Sequence, residues 1–164
     1  SRYMSELKIG FGGGCHWCTE AVFQALIGVT EVEQGWIASE GQFGSYSEAV
    51  MVTFDSESIS LKTLIEIHLL THASTSAHSL RGKYRSAVYY KDLEQKSAVE
   101  HAFSEAKVAV KEKPITMILP KVEFKKNEEE FLNYYQSRPD APFCQTYISP
   151  KLEMLRKRFS KELN

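Results

Sequence analysis

Leu7, Ile9 and Phe11 alternate with Lys8 and Gly10, a period of two that predicts a strand running into Gly12-Gly13-Gly14. Past the glycines the period changes. Trp17, Ala21, Val22, Ala25 and Leu26 share one helical face, and Gly28 is placed to end that helix. Two strands are predicted next, over 29–37 and 48–54, joined by a turn rich in Gly and Ser. Leu61, Leu64, Ile65, His68 and Leu69 mark a second amphipathic helix, and 84–90 reads as another strand. Asp92 stands where it would cap a third helix, buried through Val99, Ala102, Phe103, Ala106 and Val110. An extended stretch over 115–124 follows, interrupted by Pro120. Asn127, with Glu130 three residues on, resembles a capping box for a short helix carrying Phe131, Tyr134 and Tyr135, which Pro139 stops.

The order is therefore β-α-β-β-α-β followed by helix, strand and helix. That order suits an α+β fold, a ferredoxin-like split β-α-β sandwich with helices packed on a mixed sheet. The chain after Lys91 is expected to wrap this core and to end in an irregular C-terminal segment. No repeat, low-complexity tract or linker divides the sequence, so residues 1–164 are expected to form one domain.

Composition narrows the function classes. The 164 residues are 43% apolar and 25% charged, enough for a sizeable buried core. A net charge of −1 supplies no global field to attract nucleic acid or an anionic membrane. No apolar run reaches spanning length and no signal-peptide core is visible, so neither membrane nor nucleic acid is an expected partner. Three cysteines are too few for a secreted disulfide framework, and a cytoplasmic, reducing setting is expected.

The candidate chemistry sits at Cys15. A strand ends in three glycines, the chain turns, and a helix begins. Free N–H groups and the positive end of the helix dipole there favour a thiolate. Cys18 lies one turn further on, within reach of a disulfide. Two inert core cysteines are the plainer alternative, but a C-x-x-C after a glycine corner points to redox work. A zinc reading would draw in His68 and His72, spaced i, i+4. However, about 50 residues separate Cys18 from His68, against 12–15 in a compact finger. His68 also falls on the apolar stripe, where a hydrogen-bonded core histidine is commoner. No metal is expected.

Gly14-Cys15-His16-Trp17-Cys18-x-Glu20-Ala21-Val22-Phe23 resembles the Gly-Cys-Phe-Trp-Gly/Cys-x-Glu signature of the A-type peptide methionine sulfoxide reductases. Glu48-Ala49-Val50 with Phe54-Asp55 is similar to that family's Glu-x-Val…Tyr-Asp strand. His72 follows the second helix as the family's histidine does. Lys83-Tyr84-Arg85-Ser86-Ala87-Val88-Tyr89 resembles Gln-Tyr-Arg-Ser-x-Ile-Tyr, and Phe143-Cys144-x-x-Tyr147-Ile148-x-Pro150-Lys151 resembles a C-terminal Tyr-Cys-x-x-Val-Ile-x-Pro-Lys.

The resemblance implies a fold that agrees with the element order, and a mechanism. Cys15 would attack a sulfoxide sulfur. Glu48, partly buried in an apolar strand, would protonate the oxygen. Cys15 would become a sulfenic acid, and a second thiol would close a disulfide. Cys18 is favoured for that step because it is local, with Cys144 as the alternative. Trp17 would pack on the substrate methyl, and Tyr84 would offer its hydroxyl to the oxygen. Methionine S-sulfoxide, protein-bound or free, would be the substrate, with thioredoxin or a similar dithiol as reductant. No cofactor is implied, and a monomer is expected.

The motif is also broken in places. His16 stands where the family has Phe, which either weakens the substrate wall or lends support to the Cys15 thiolate. The loop between Trp36 and Glu48 lacks the family's Asn-Pro-Thr-Tyr, leaving Tyr46 as a stand-in. His78-Ser79-Leu80-Arg81 replaces a Gly-Asn-Asp stretch, with Ser79 where the family has a substrate-contacting aspartate. Phe131 replaces a tyrosine, and Arg85 reads as a solvated or ion-paired strand residue. Two other functions stay open: a general thiol–disulfide oxidoreductase using Cys15 and Cys18, and a degenerate module that binds sulfoxides without turnover.

Overall fold

The architecture comes from a computed structural model that describes residues 6–72 and 82–164. Six strands form one sheet: β1 (Glu6–Gly12), β2 (Val29–Ala38), β3 (Ser47–Asp55), β4 (Ala87–Tyr90), β5 (Met117–Pro120) and β6 (Glu123–Lys126). Their order across the sheet is β5-β4-β1-β3-β2-β6. The inner four strands are antiparallel to one another, with α1 (His16–Gln24) linking β1 to β2 and α2 (Leu61–Thr71) linking β3 to β4. That is the interleaved pair of split β-α-β units expected from the sequence. α3 (Leu93–Ala106) leads to β5, which pairs in parallel with β4.

The stretch predicted as one interrupted strand is two strands on opposite edges. Only Lys121 and Val122 separate β5 from β6. A flat six-stranded sheet would put its edges about 24 Å apart at ~4.8 Å per strand. Three Cα–Cα steps cover at most about 11 Å. The sheet therefore rolls until its edges nearly meet, and Lys121 N donates to Tyr90 O (2.8 Å) while Val122 N donates to Ala38 O (3.0 Å).

Rolling gives the sheet two apolar faces. Ile9, Phe11, Val50, Val52, Phe54 and Val88 face the helices in the main core. Ile37, Ala49, Met51, Ala87 and Tyr89 fill the concave side with Met117, Leu119 and Phe124. Arg85 also lies inside, only 4% exposed, and among the described residues no carboxylate pairs with it. Its guanidinium donates to the Tyr89 hydroxyl (2.9 Å), Ile37 O (3.1 Å) and Ser45 O (3.2 Å).

Local signals hold where a side chain closes a cap. Ser60 Oγ accepts from Thr63 N (3.1 Å) at α2, and Asp92 accepts from Gln95 N (2.9 Å) at α3. Other boundaries shift. α1 ends at Gln24, well before Gly28, and the strand predicted from Tyr84 begins at Ala87. Asn127 forms no capping box: it accepts from Glu128 N and donates to Gln34 Oε1. A single 3-10 turn (Glu129–Phe131) precedes a short α4 (Tyr134–Ser137), because Asn133 takes the left-handed conformation between them. The C-terminal segment, expected to be irregular, is helical from Cys144 to Arg158. A π turn (Cys144–Ile148) runs into α5 (Ser149–Arg158), with Pro150 in its first turn, where no N–H is needed. Leu152 and Leu155 bury α5 against the main core.

Candidate active site

β1 leaves the sheet at Gly13, whose φ of +147° favours glycine. A Cβ here would also come within 2.5 Å of the His72 ring. With β1 gone, its two neighbours close on each other, and Glu48 N donates to Lys83 O (2.9 Å). Cys15 caps α1 at this crevice, its carbonyl accepting from Cys18 N (3.1 Å) and Thr19 N (3.2 Å).

The two motif thiols are polarised against each other. A hydrogen bond from the Cys18 thiol holds the Cys15 thiol below its ordinary value, helped by the N–H groups of Trp17 and Cys18. Burial and the Glu48 carboxylate oppose that effect without overturning it. The same hydrogen bond, together with burial, pushes Cys18 far up, so Cys18 keeps its proton as donor. Cys144 is fully buried, and burial pushes its thiol up as well.

Glu48 is 7% exposed, and three donors approach it. The His16 backbone N–H donates to Oε1 (3.1 Å), His16 Nε2 faces the same oxygen at 3.5 Å, and Lys83 Nζ lies 3.6 Å from Oε2. The Lys83 ammonium also sits over the Tyr84 ring, 5.1 Å from its centre. A hydrogen bond with Tyr84, with the charge of Glu48 behind it, holds the lysine above its ordinary value.

His16 is not among the residues that line the cavity beside Cys15. It is 5% exposed, and its Nδ1 lies 2.8 Å from Gly35 O, an acceptor that fixes the ring towards Glu48. Trp17, next along the helix, is enclosed by aromatic rings. It stacks on Tyr134, stands edge-on to Phe143 and lies near Phe131. Glu20, 1% exposed, anchors Tyr134 by accepting from Asn133 N (2.9 Å) and Tyr134 N (3.0 Å). Desolvation holds Glu20 above its ordinary value despite those bonds.

A cavity of about 440 Å³ opens beside Cys15, lined among others by Cys18, Tyr84, Phe143, Tyr147 and Lys151. Lys151 donates to Thr71 O, and its charge faces Cys18. Cys15, Cys18 and Tyr84 thus share this cavity; Glu48 does not line it, but its charge reaches Cys15, and Cys144 lies close enough to influence Cys18 electrostatically. Sequence reasoning missed Lys83, Lys151 and the role of Tyr134. Lys83 and Lys151 did lie in the motif segments, where they carried no distinct signal. His68 and His72 stack at 4.1 Å, with His68 Nε2 near Gly12 O and His72 Nε2 near Ser86 Oγ (both 2.8 Å). Among the described residues, no group of three or more His, Cys, Asp or Glu is placed to hold a metal.

The family model described as peptide methionine sulfoxide reductase matches residues 7–163. The chain belongs to the peptide methionine sulfoxide reductase family. Peptide methionine sulfoxide reductase MsrA of Trichodesmium erythraeum is 33% identical to it, over 95% of this chain and 97% of that protein. MsrA of Deinococcus radiodurans is 36% identical, over 93% of this chain and 82% of that protein. The reduced form of Mxr1 from Saccharomyces cerevisiae has a similar fold, with TM-score 0.70 and 19% identity over 88% of this chain and 92% of that one. Mxr1 in complex with Trx2 matches with TM-score 0.59 and 18% identity, over 77% and 84% of the respective chains.

Within this peptide methionine sulfoxide reductase, the departures from the motif separate. Phe131 keeps an aromatic ring beside Trp17, 6.2 Å between centres. Tyr46 is 43% exposed, is hydrogen-bonded to Glu123, and does not line the cavity beside Cys15. The Glu123 carboxylate holds its hydroxyl above the ordinary value. Ser79 lies outside the described residues.

Proposed function

We propose that the chain reduces methionine S-sulfoxide to methionine, with Cys15 as nucleophile and Glu48 as acid. One observation carries this reading: a thiol held below its ordinary value stands in electrostatic reach of a buried carboxyl that Lys83 and His16 hold in place. Cys15 Sγ attacks the sulfoxide sulfur while Glu48 gives its proton to the oxygen. The S–O bond breaks, oxygen passes to Cys15 as a sulfenic acid, and the thioether leaves. The apolar side of the cavity, Phe143 and Tyr147 with Trp17 behind Phe143, receives the methylthio group. Tyr84 directs its hydroxyl to the oxygen.

Cys18 then displaces the hydroxyl from the Cys15 sulfenic acid, so that a disulfide forms and the Cys18 proton leaves in water. The existing Cys15–Cys18 hydrogen bond supports this choice over Cys144. A thioredoxin-type dithiol returns two electrons and two protons, a role supported by the Mxr1–Trx2 complex. Three free thiols fit a reducing compartment such as the cytoplasm. A thiol–disulfide oxidoreductase would have no use for a buried acid beside its nucleophile. A mere binding module would have no use for a thiol polarised towards the thiolate.

Mass spectrometry after addition of methionine S-sulfoxide without reductant tests the reading. One methionine per chain and a Cys15–Cys18 disulfide are expected, with no methionine formed by Cys15→Ser. A Cys15–Cys144 bond would reassign the second thiol, and turnover by Cys15→Ser would end the reading.

A further inference from the structure

His16 has only one ring nitrogen free to exchange a proton. Gly35 O can only accept, so Nδ1 carries its hydrogen whether the ring is neutral or charged (2.8 Å). Any proton that comes and goes must therefore sit on Nε2, and Nε2 faces Glu48 Oε1 at 3.5 Å. The backbone N–H of the same residue donates to the same oxygen, so the main chain sets the pair's geometry. Both side chains are buried, at 7% and 9% exposure, and compete little with solvent for this contact.

We propose that His16 shares one proton with Glu48 and returns it to that carboxyl after each transfer to a sulfoxide oxygen. The proposal rests on the reading of Glu48 as the acid. His16 touches no substrate and acts through Glu48, which makes it a positioning residue. The protons balance. Glu48 gives the pair's one proton to the oxygen, which leaves a carboxylate beside a neutral ring whose Nδ1–H stays on Gly35 O. Nε2 then takes a proton from solvent and passes it to Oε1. The present separation exceeds the N–H···O range of about 2.7–3.2 Å, so transfer needs an approach of a few tenths of an ångström.

The other groups around the pair fit this task. From α1, Glu20 adds a second carboxylate whose charge interacts with His16. From β2, the Trp36 ring stands edge-on at 5.2 Å and closes one side. From the segment before β4, Lys83 lies on the far oxygen of Glu48 and favours its charged form once the proton has left. Cys15 faces Glu48 from the helix start, so a carboxylate left without its proton would oppose the thiolate that the next cycle needs. Rapid return of the proton relieves that opposition.

Two variants and one spectroscopic measurement decide the matter. His16→Asn keeps a donor for Gly35 O without a titrating nitrogen, and His16→Gln keeps a donor towards Glu48. The readout is the pH profile of Cys15 oxidation in a single turnover with methionine S-sulfoxide. In both variants the alkaline limb should move down, because no imidazole is left to hand a proton back to Glu48. A packing role would lower the rate at every pH and leave the limb in place; that result in both variants overturns the proposal. Nitrogen NMR on the wild-type protein serves if either variant folds poorly. The titration midpoint of His16 Nε2 should be lower in Glu48→Gln than in wild type, and equal midpoints overturn the proposal. A wild-type protein that forms no oxidised Cys15 would instead remove the sulfoxide reductase reading, and the proposal with it.

Discussion

The indole of Trp17 and the phenol ring of Tyr134 lie parallel, with centres 3.9 Å apart and planes within 2°. The backbone of the same tyrosine is held by Glu20, three residues after Trp17 on α1. Residues three apart share a helix face, so the motif's Trp-x-x-Glu is one device. Its aromatic half grips the Tyr134 ring, and its carboxylate half grips the Tyr134 and Asn133 amides. The chain after β6 is thereby tied to the helix that carries Cys15.

Glu20→Gln should loosen that tie and change how stability depends on pH. The folded value of Glu20 lies above the ordinary 4.5 because desolvation outweighs its hydrogen bonds. Between those two values the folded chain holds more protons than the unfolded one. Stability from this group is thus fully present below the ordinary value and is lost as pH rises through the folded one. The glutamine does not titrate, so that decline should vanish. It should also cost about 1–3 kcal/mol, since its NH₂ group leaves one buried amide without an acceptor. Urea denaturation of both proteins across mildly acidic pH measures slope and offset together.

Tyr134→Leu keeps apolar cover over the indole and removes the stack. Stability should fall by about 0.5–1.5 kcal/mol, the range for an aromatic pair beyond its buried area. Trp17 fluorescence, read in a Trp36→Phe background, should change while far-ultraviolet circular dichroism does not. Unchanged stability together with unchanged emission would mean that the stack contributes nothing.

The corner at Cys15 was legible because everything that makes it is local. A period-two strand, three glycines and a period-3.6 helix place the thiol with no knowledge of the rest of the chain. The split β-α-β order was legible for the same reason. The roll of the sheet was not, because Pro120 looks like an interruption and only long-range closure separates β5 from β6. Arg85 was misread for a related cause: its burial follows from the roll, not from its neighbours in sequence. His16 was placed on the substrate side because its family counterpart is apolar, whereas its ring is turned by Gly35 O, 19 residues away. α5 shows in the sequence only as a charged helix face at Arg156-Lys157-Arg158, because its buried stripe is just Leu152 and Leu155.

Removing the Cys18 thiol should raise the Cys15 titration. That thiol supplies the largest effect holding Cys15 below its ordinary value. A hydrogen bond to a charged group favours the charged form, so Cys18→Ala should raise the Cys15 midpoint towards its ordinary value. Cys18→Ser retains a hydroxyl donor and should raise it less. The pH dependence of Cys15 alkylation, followed peptide by peptide, checks the order. Equal midpoints in wild type and Cys18→Ala would show that the helix start alone makes the thiolate.

Arg85 sets a contest between a buried charge and its hydrogen bonds. Among the described residues no carboxylate pairs with it; two carbonyls, the Tyr89 hydroxyl and the faces of Phe43 and Tyr89 surround it. Arg85→Lys keeps the cost of burying a positive charge, yet one ammonium cannot span acceptors laid out for a planar fork. Losing two of three such bonds should cost about 3 kcal/mol or more. Arg85→Met also abandons the acceptors but removes the charge, and the Tyr89 hydroxyl is free to turn towards a carbonyl. Replacing a buried charge with an apolar side chain of similar length is often close to neutral. Lysine should therefore be the more damaging substitution, although it preserves the charge. Urea midpoints of the two variants give the answer. If Arg85→Met is the less stable, the hydrogen bonds outweigh the desolvation of the guanidinium, and the charge inside the rolled sheet is a net stabiliser.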